Sequence, residues 1–118
     1  MTMAFEGSCH CGKVAYAVDA DLPAKAMQCN CSHCRRKGFL LAFFPIDRFT
    51  LQRGEDDLRS YHFYKHKIEH RFCTTCGTQS FAIGTAPDGS RMAAINLRCV
   101  PEADIAALEI QKVDGASF

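Results

Sequence analysis

The sequence predicts a mainly β domain of small curled antiparallel sheets with one or two short helices. Three observations carry this. Apolar and polar residues alternate over short segments separated by turn residues, only two stretches carry helix start and stop signals, and eight cysteines, most of them in close clusters, offer a metal staple to a chain of 118 residues. A chain of this length suits one domain, here expected to span residues 1–118, with a modest core that bound metal can supplement.

Strand and turn signals alternate from the N-terminus onward. KVAYAVD, from Lys13 to Asp19, has Val14, Tyr16 and Val18 at alternate positions after the Gly12 turn, which predicts a half-buried strand. Ser32 caps a short helix that runs through Lys37 and stops at Gly38. Leu40 to Phe44 is a continuous apolar strand ending at Pro45, and Phe49 to Arg53 is another, stopped by the GEDD turn. Ser60 to Tyr64 and Ile68 to Phe72 alternate around the charged turn KHK. Gln79 to Ile83 and Arg91 to Leu97 flank TAPDGS, where Asp88-Gly89 is a hairpin signal. Pro101 opens a second short helix over Glu102 to Leu108.

Composition narrows the function. A formal net charge of +1 provides no basic field for nucleic acid, so nucleic-acid binding is disfavoured. The longest mostly apolar run, Phe39 to Ile46, is broken by Pro45 and falls short of the roughly 20 residues a membrane-spanning helix needs, so no membrane insertion is expected. The N-terminal MTMAFEGSCHCG has no basic and then apolar leader, and a cytoplasmic protein is expected. In a reducing compartment, eight cysteines favour metal or catalytic roles over disulfides.

Seven of the eight cysteines form three clusters: Cys9-x-Cys11-Gly12, Cys29-x-Cys31-x-x-Cys34 and Cys73-x-x-Cys76-Gly77. Zinc favours tetrahedral thiolate coordination, and close pairs on tight turns supply two ligands each at low entropic cost. The CxCG and CxxCG pairs thus make a reasonable closed four-cysteine site of structural role. The middle cluster then holds three thiolates, and three protein ligands leave a fourth position for water or substrate, as in catalytic zinc sites. Placing Cys34 in the first turn of the short helix, beside Arg35, Arg36 and Lys37, would also favour thiolates. Spacing alone leaves other partitions open, since His33, His10, His62, His66 or His70 can complete the middle site.

The remaining residues read more simply. Cys99 is expected as a small buried hydrophobe rather than a ligand, and His66 and His70 as solvent-facing or turn residues. Phe39, Phe43, Phe44 and Phe49 are expected in the core, with one ring able to line the site. Arg35, Arg36 and Lys37 gain weight as an anion site from the neighbouring open metal.

Taken together, GSCHCGKVAY, QCNCSHCRRKG and HRFCTTCGTQSF resemble the glutathione-dependent formaldehyde-activating enzyme family, and the likeness extends through NLRCVPEADIAALE to the late VDG. The chain looks like a short member built on the family's core. The resemblance implies a Mss4-like fold with two zinc ions. It implies that Cys9, Cys11, Cys73 and Cys76 hold the structural ion, while Cys29, Cys31 and Cys34 hold the ion at the active site. The reaction it implies is carbon-sulfur bond formation or cleavage between a small thiol, plausibly glutathione, and an aldehyde such as formaldehyde, with Arg35, Arg36 and Lys37 pairing with substrate carboxylates. The alternative from another class is a non-catalytic zinc-stabilised module that carries glutathione or binds a protein partner.

Overall fold

The structure, a computed structural model, describes residues 5–30, 32–61, 69–86 and 88–114. Among the described residues, ten strands form two sheets. β1 (Phe5–Ser8), β2 (Ala15–Val18) and β5 (Phe49–Arg53) make a small antiparallel sheet in the order β1-β2-β5. The larger sheet contains β3 (Lys25–Cys29), β4 (Leu41–Pro45), β6 (Leu58–Tyr61), β7 (Glu69–Cys73), β8 (Phe81–Thr85), β9 (Arg91–Asn96) and β10 (Glu109–Val113). Its order is β10-β3-β4-β9-β8-β7-β6, antiparallel except for the parallel pair β10 and β3. An α-helix, α1 (Ser32–Lys37), lies between β3 and β4 in the chain.

The core lies between the sheets. Phe5, Tyr16 and Val18 of the small sheet meet Ala42, Phe81, Ile83, Ala93 and Ile95 of the large one, all buried. Alternation explains the choice, because every second residue of β8 and β9 points the same way: Phe81 and Ile83, Ala93 and Ile95. Tyr16 anchors the layer. Its ring packs edge-on to Phe81 at 5.7 Å and against Phe49 at 5.3 Å, and its buried hydroxyl donates to the Ser80 carbonyl at 3.1 Å. Burial, and then the charge of Cys99, keep the phenol neutral, with its pKa raised.

Gly7 is paired with Tyr16 across β1 and β2, and the tyrosine ring lies over it so closely that an added Cβ would collide with the hydroxyl oxygen. Only a residue without a side chain leaves room there. Asp88-Gly89 turns the β8-β9 hairpin as expected, with the Asp88 carboxylate accepting from the Ser90 backbone at 2.9 Å and the Ser90 hydroxyl at 2.6 Å.

Seven expected strands coincide with β2, β4, β5, β6, β7, β8 and β9 to within a few residues at their ends. The end of the expected strand at 62–64 and the KHK turn at 65–67 lie outside the described residues. Three strands went unpredicted. β1, β3 and β10 are edge or near-edge strands, and β10 exposes four of its five residues, so no apolar alternation announces them. The helix expected over Glu102 to Leu108 is corrected to a single 3-10 turn, Ile105–Ala107. The residues there that pack on the core are Ala103, Ile105 and Leu108, a spacing that no α-helical face presents. Among the expected core rings, Phe39 is buried and Phe44 and Phe49 are packed against the core, whereas Phe43 is 45% exposed on the outer face of β4.

Gly7→Ala should lower stability by about 1–3 kcal/mol through overpacking against Tyr16, read as a lower urea midpoint at unchanged slope. An unchanged midpoint would show that the ring moves aside freely.

Candidate functional site

Two turns carry the first group of cysteines. Cys9 and Cys11 sit between β1 and β2, where the Gly12 amide bonds back to the Cys9 carbonyl at 3.3 Å; Cys73 and Cys76 lie at and just beyond the end of β7, where the Gly77 amide bonds to the Cys73 carbonyl at 2.9 Å. Gly12 and Gly77 both have positive φ, 82° and 78°, the conformation that folds each turn back over its own sulfurs. The four sulfurs lie within 4.8 Å of one another, with Cys9 to Cys11 at 3.6 Å and Cys11 to Cys73 at 3.7 Å. A tetrahedron with zinc-sulfur bonds of about 2.3 Å places its sulfurs roughly 3.8 Å apart, so the donor set and its dimensions suit zinc. These four residues can hold a metal ion.

Backbone groups prepare the sulfurs for it. The Val14 amide donates to the Cys9 sulfur and the Thr75 amide to that of Cys73, each at 3.4 Å. Burial opposes ionisation of Cys76, but the Thr78 hydroxyl and the Cys11 and Thr78 backbone outweigh it and pull the thiol down to about 5. Cys73 also shifts down, its burial outweighed by the Cys76 and Thr75 amides. Cys11 goes the other way. The Lys13 backbone favours its thiolate, yet desolvation of the sulfur and contact with three neighbouring sulfurs hold it at about 11.

The second group is assembled by β3 and α1. Cys29 ends β3, half-buried, and Cys34 is the buried residue of α1; Cys31 lies outside the described residues. Cys29 and Cys34 line one cavity of about 380 Å³, together with Gln28, Asn30, Arg35, Phe39 and the residues Lys112 to Asp114 at the end of β10. Its wall is set by the parallel pairing of β10 with β3, which brings Lys112 beside Gln28 and Val113 beside Cys29. Asn30 fastens the corner: its amide donates to the Val113 carbonyl at 3.1 Å and its side chain to Asp114 at 2.9 Å.

On the other side of α1 a cavity of about 590 Å³ is lined by Ser32, His33, Arg36, Lys37, Tyr61, Phe72 and Gly77. The basic run therefore divides. Arg35 faces the cysteine cavity, whereas Arg36 donates to the Ser32 carbonyl at 2.9 Å and Lys37 donates to Gln79 at 3.4 Å and lies 5.8 Å over the Phe72 ring.

His70 is a correction. It is 5% exposed rather than solvent-facing, because α1 covers its face of β7 and brings the His33 ring to 4.1 Å. Gln79 donates to His70 Nδ1 at 3.0 Å, which assigns the ring proton to Nε2. His33 also stacks on Tyr61 at 5.6 Å and lies 5.7 Å from Phe39; burial, and then the Lys37 charge, lower its pKa. His62 and His66 lie outside the described residues, and His10 is exposed. Cys99 is half-buried with its sulfur 4.0 Å from the Gln79 carbonyl. Burial and the charges of Cys9 and Cys76, members of the first group, push it to about 11.

The sequence reading missed Asn30, Lys112 and Asp114 at the cavity and Gln79 behind His70. None carries a spacing signal, since a parallel pairing across eighty residues leaves no local trace.

The model of the glutathione-dependent formaldehyde-activating enzyme family matches residues 4–110. The chain belongs to this family. This formaldehyde-activating enzyme family member is also similar to the crystal structure of a protein from Rhodobacter sphaeroides, with 26% sequence identity, a TM-score of 0.76, and coverage of 90% of this chain and 99% of that one. The two open sheets, the short helix and the clustered cysteines are those of a mainly β, Mss4-like fold. No helix among the described residues is long and apolar enough to cross a membrane.

Two outcomes are expected. In the metal-free protein at pH 7, Cys76 is ionised and Cys11 still carries its proton, so zinc loading should release a proton from Cys11 and none from Cys76. Below about pH 5 Cys76 adds its own, and release measured in weak buffer should therefore rise as pH falls; a constant value from pH 4 to 8 would contradict it. Gln79→Leu, which strips His70 and Lys37 of a shared partner, should cost about 1–3 kcal/mol in urea unfolding.

Proposed function

We propose that this family member is a zinc-dependent enzyme that joins a small thiol, glutathione, to an aldehyde such as formaldehyde, or runs the reverse carbon-sulfur lyase step. In the forward direction the thiol sulfur bonds to the carbonyl carbon, the carbonyl oxygen takes up a proton, and an S-hydroxymethyl thioether results. The observation that carries the reading is the shared cavity of Cys29 and Cys34 beside Arg35, in a chain of this family.

Cys29, Cys31 and Cys34 are the ligands of the active-site ion, and Cys9, Cys11, Cys73 and Cys76 those of a structural one. A zinc ion with three thiolate ligands and an open position supplies a site where a substrate thiol stays deprotonated near pH 7. The chain's own residues do the rest. Arg35, at the cavity wall, pairs with a substrate carboxylate through a charge-assisted hydrogen bond. Phe39, buried at the same wall, limits water on the apolar side. Arg36 and Lys37 extend the positive field from the other side of α1. The protein acts as a single domain over residues 1–118, in the cytoplasm, where thiols remain reduced.

The test combines metal analysis with nuclear magnetic resonance of the reaction. Purified protein should hold two zinc ions and speed S-hydroxymethylglutathione formation above the uncatalysed rate. Cys31→Ser and Cys34→Ser should lose one ion and the activity while keeping the β-rich circular dichroism; Cys73→Ser should lose the fold. A rate equal to the uncatalysed one in the two-zinc protein sinks the enzymatic reading.

A further inference from the structure

The cavity that holds Cys29 and Cys34 has a second wall, made by the end of β10, and it carries charge of both signs. Arg35 comes from α1, Lys112 from β10, and Asp114 lies directly after that strand. Among the described residues neither the Arg35 nor the Lys112 side chain takes part in a hydrogen bond or ion pair, although three ion pairs form elsewhere on the molecule. Two exposed cations without partners beside a thiol-lined cavity are held in place by the fold rather than by each other. Like charges brought to one cavity repel, which is an arrangement that an anionic ligand relieves.

Asp114 differs from both. One carboxylate oxygen accepts from Asn30 Nδ2 at 2.9 Å, and the Asn30 amide is tied to the Val113 carbonyl at 3.1 Å. The carboxylate is thus fixed to the same loop that carries the cysteines, one residue after Cys29. A carboxylate offers about four acceptor positions, and the asparagine bond takes one of them.

The pattern around the cysteines is therefore two positive groups and one negative. A peptide thiol of the γ-glutamyl kind carries the complement: two carboxylates, one ammonium and one sulfur. The cavity volume of about 380 Å³ lies at the small end of the range for small-molecule sites, roughly 300–1,000 Å³, and fits a tripeptide better than a protein segment.

We infer that Lys112 and Asp114 are specificity-determining residues for the thiol substrate: Lys112, with Arg35, binds the carboxylates of a peptide thiol, and Asp114 binds its ammonium. The inference deepens the proposed function and rests on it. It assigns selectivity to the C-terminal strand, where β10 meets β3 in parallel, rather than to the basic run behind the cysteines alone. A thiol without these charges would still reach the sulfur ligands but would lose its orientation.

Calorimetric titration of the zinc-loaded protein with glutathione, glutathione diethyl ester and N-acetylglutathione tests this. The wild-type protein should bind the ester about tenfold more weakly than glutathione, and the N-acetyl compound severalfold more weakly, with both ratios shrinking as salt rises. Lys112→Gln should weaken glutathione severalfold and the ester little, so that their ratio falls toward one. Asp114→Asn, which keeps an oxygen for Asn30, should collapse the ratio for the N-acetyl compound and leave that for the ester. Equal affinity of the wild-type protein for all three thiols, or variants that weaken all three equally, would overturn the inference while leaving the thiol reading intact. Absence of binding by any thiol would overturn both together.

Discussion

Four sulfurs within 4.8 Å of one another are the constraint from which the rest of the molecule is arranged. Cys9 and Cys11 belong to the first hairpin and Cys73 and Cys76 to the end of β7, so an ion shared by them would close a loop of more than sixty residues and tie the small sheet to the large one. Thiolates this close repel unless a cation lies between them, and the downward shifts of Cys73 and Cys76 show that the backbone already favours the charged form. Cys9 and Cys73 are also members of the buried core. The cysteine cluster and the hydrophobic layer are therefore one structure, and a metal held there would supplement the modest core of a chain of 118 residues.

Gln79 and Ser80, just past the second cysteine turn, transmit this order to the other site. Ser80 accepts the Tyr16 hydroxyl, and its neighbour Gln79 bonds His70 and Lys37 through its side chain and Asn96 through its carbonyl. Two residues thus join the aromatic core, β9 and α1. The helix is only six residues long, too short to be stable by its own propensity, and it depends on such tertiary ties. Its consecutive residues then point into different surroundings: Cys34 and Arg35 to the cysteine cavity, His33, Arg36 and Lys37 to the cavity opposite.

That division explains how much of the site was legible in the sequence. The cysteine pairs that come together were legible because pairs on tight turns are local features, and Gly12 and Gly77 mark where the chain folds back. The strands of the core were legible because burial on one face imposes alternation, as in Phe81, Ile83, Ala93 and Ile95. His70 was misread because its burial comes from α1, which packs on β7 from outside the sheet. β10, an edge strand, and its neighbour β3 were invisible because they bury too few residues to impose a pattern.

By itself, then, the sequence determined the class of fold and the family, because these rest on short-range chemistry: turn residues, alternation and the clustering of cysteines, whose spacing still left more than one partition open. Only the tertiary structure decided what surrounds those sulfurs. Lys112 and Asp114 stand beside Cys29 through backbone pairing between segments more than eighty residues apart, and the basic run behind Cys34 is split by the turn of a helix. Backbone hydrogen bonds carry no side-chain signature, so residues brought together by them cannot be read from the chain before it is folded.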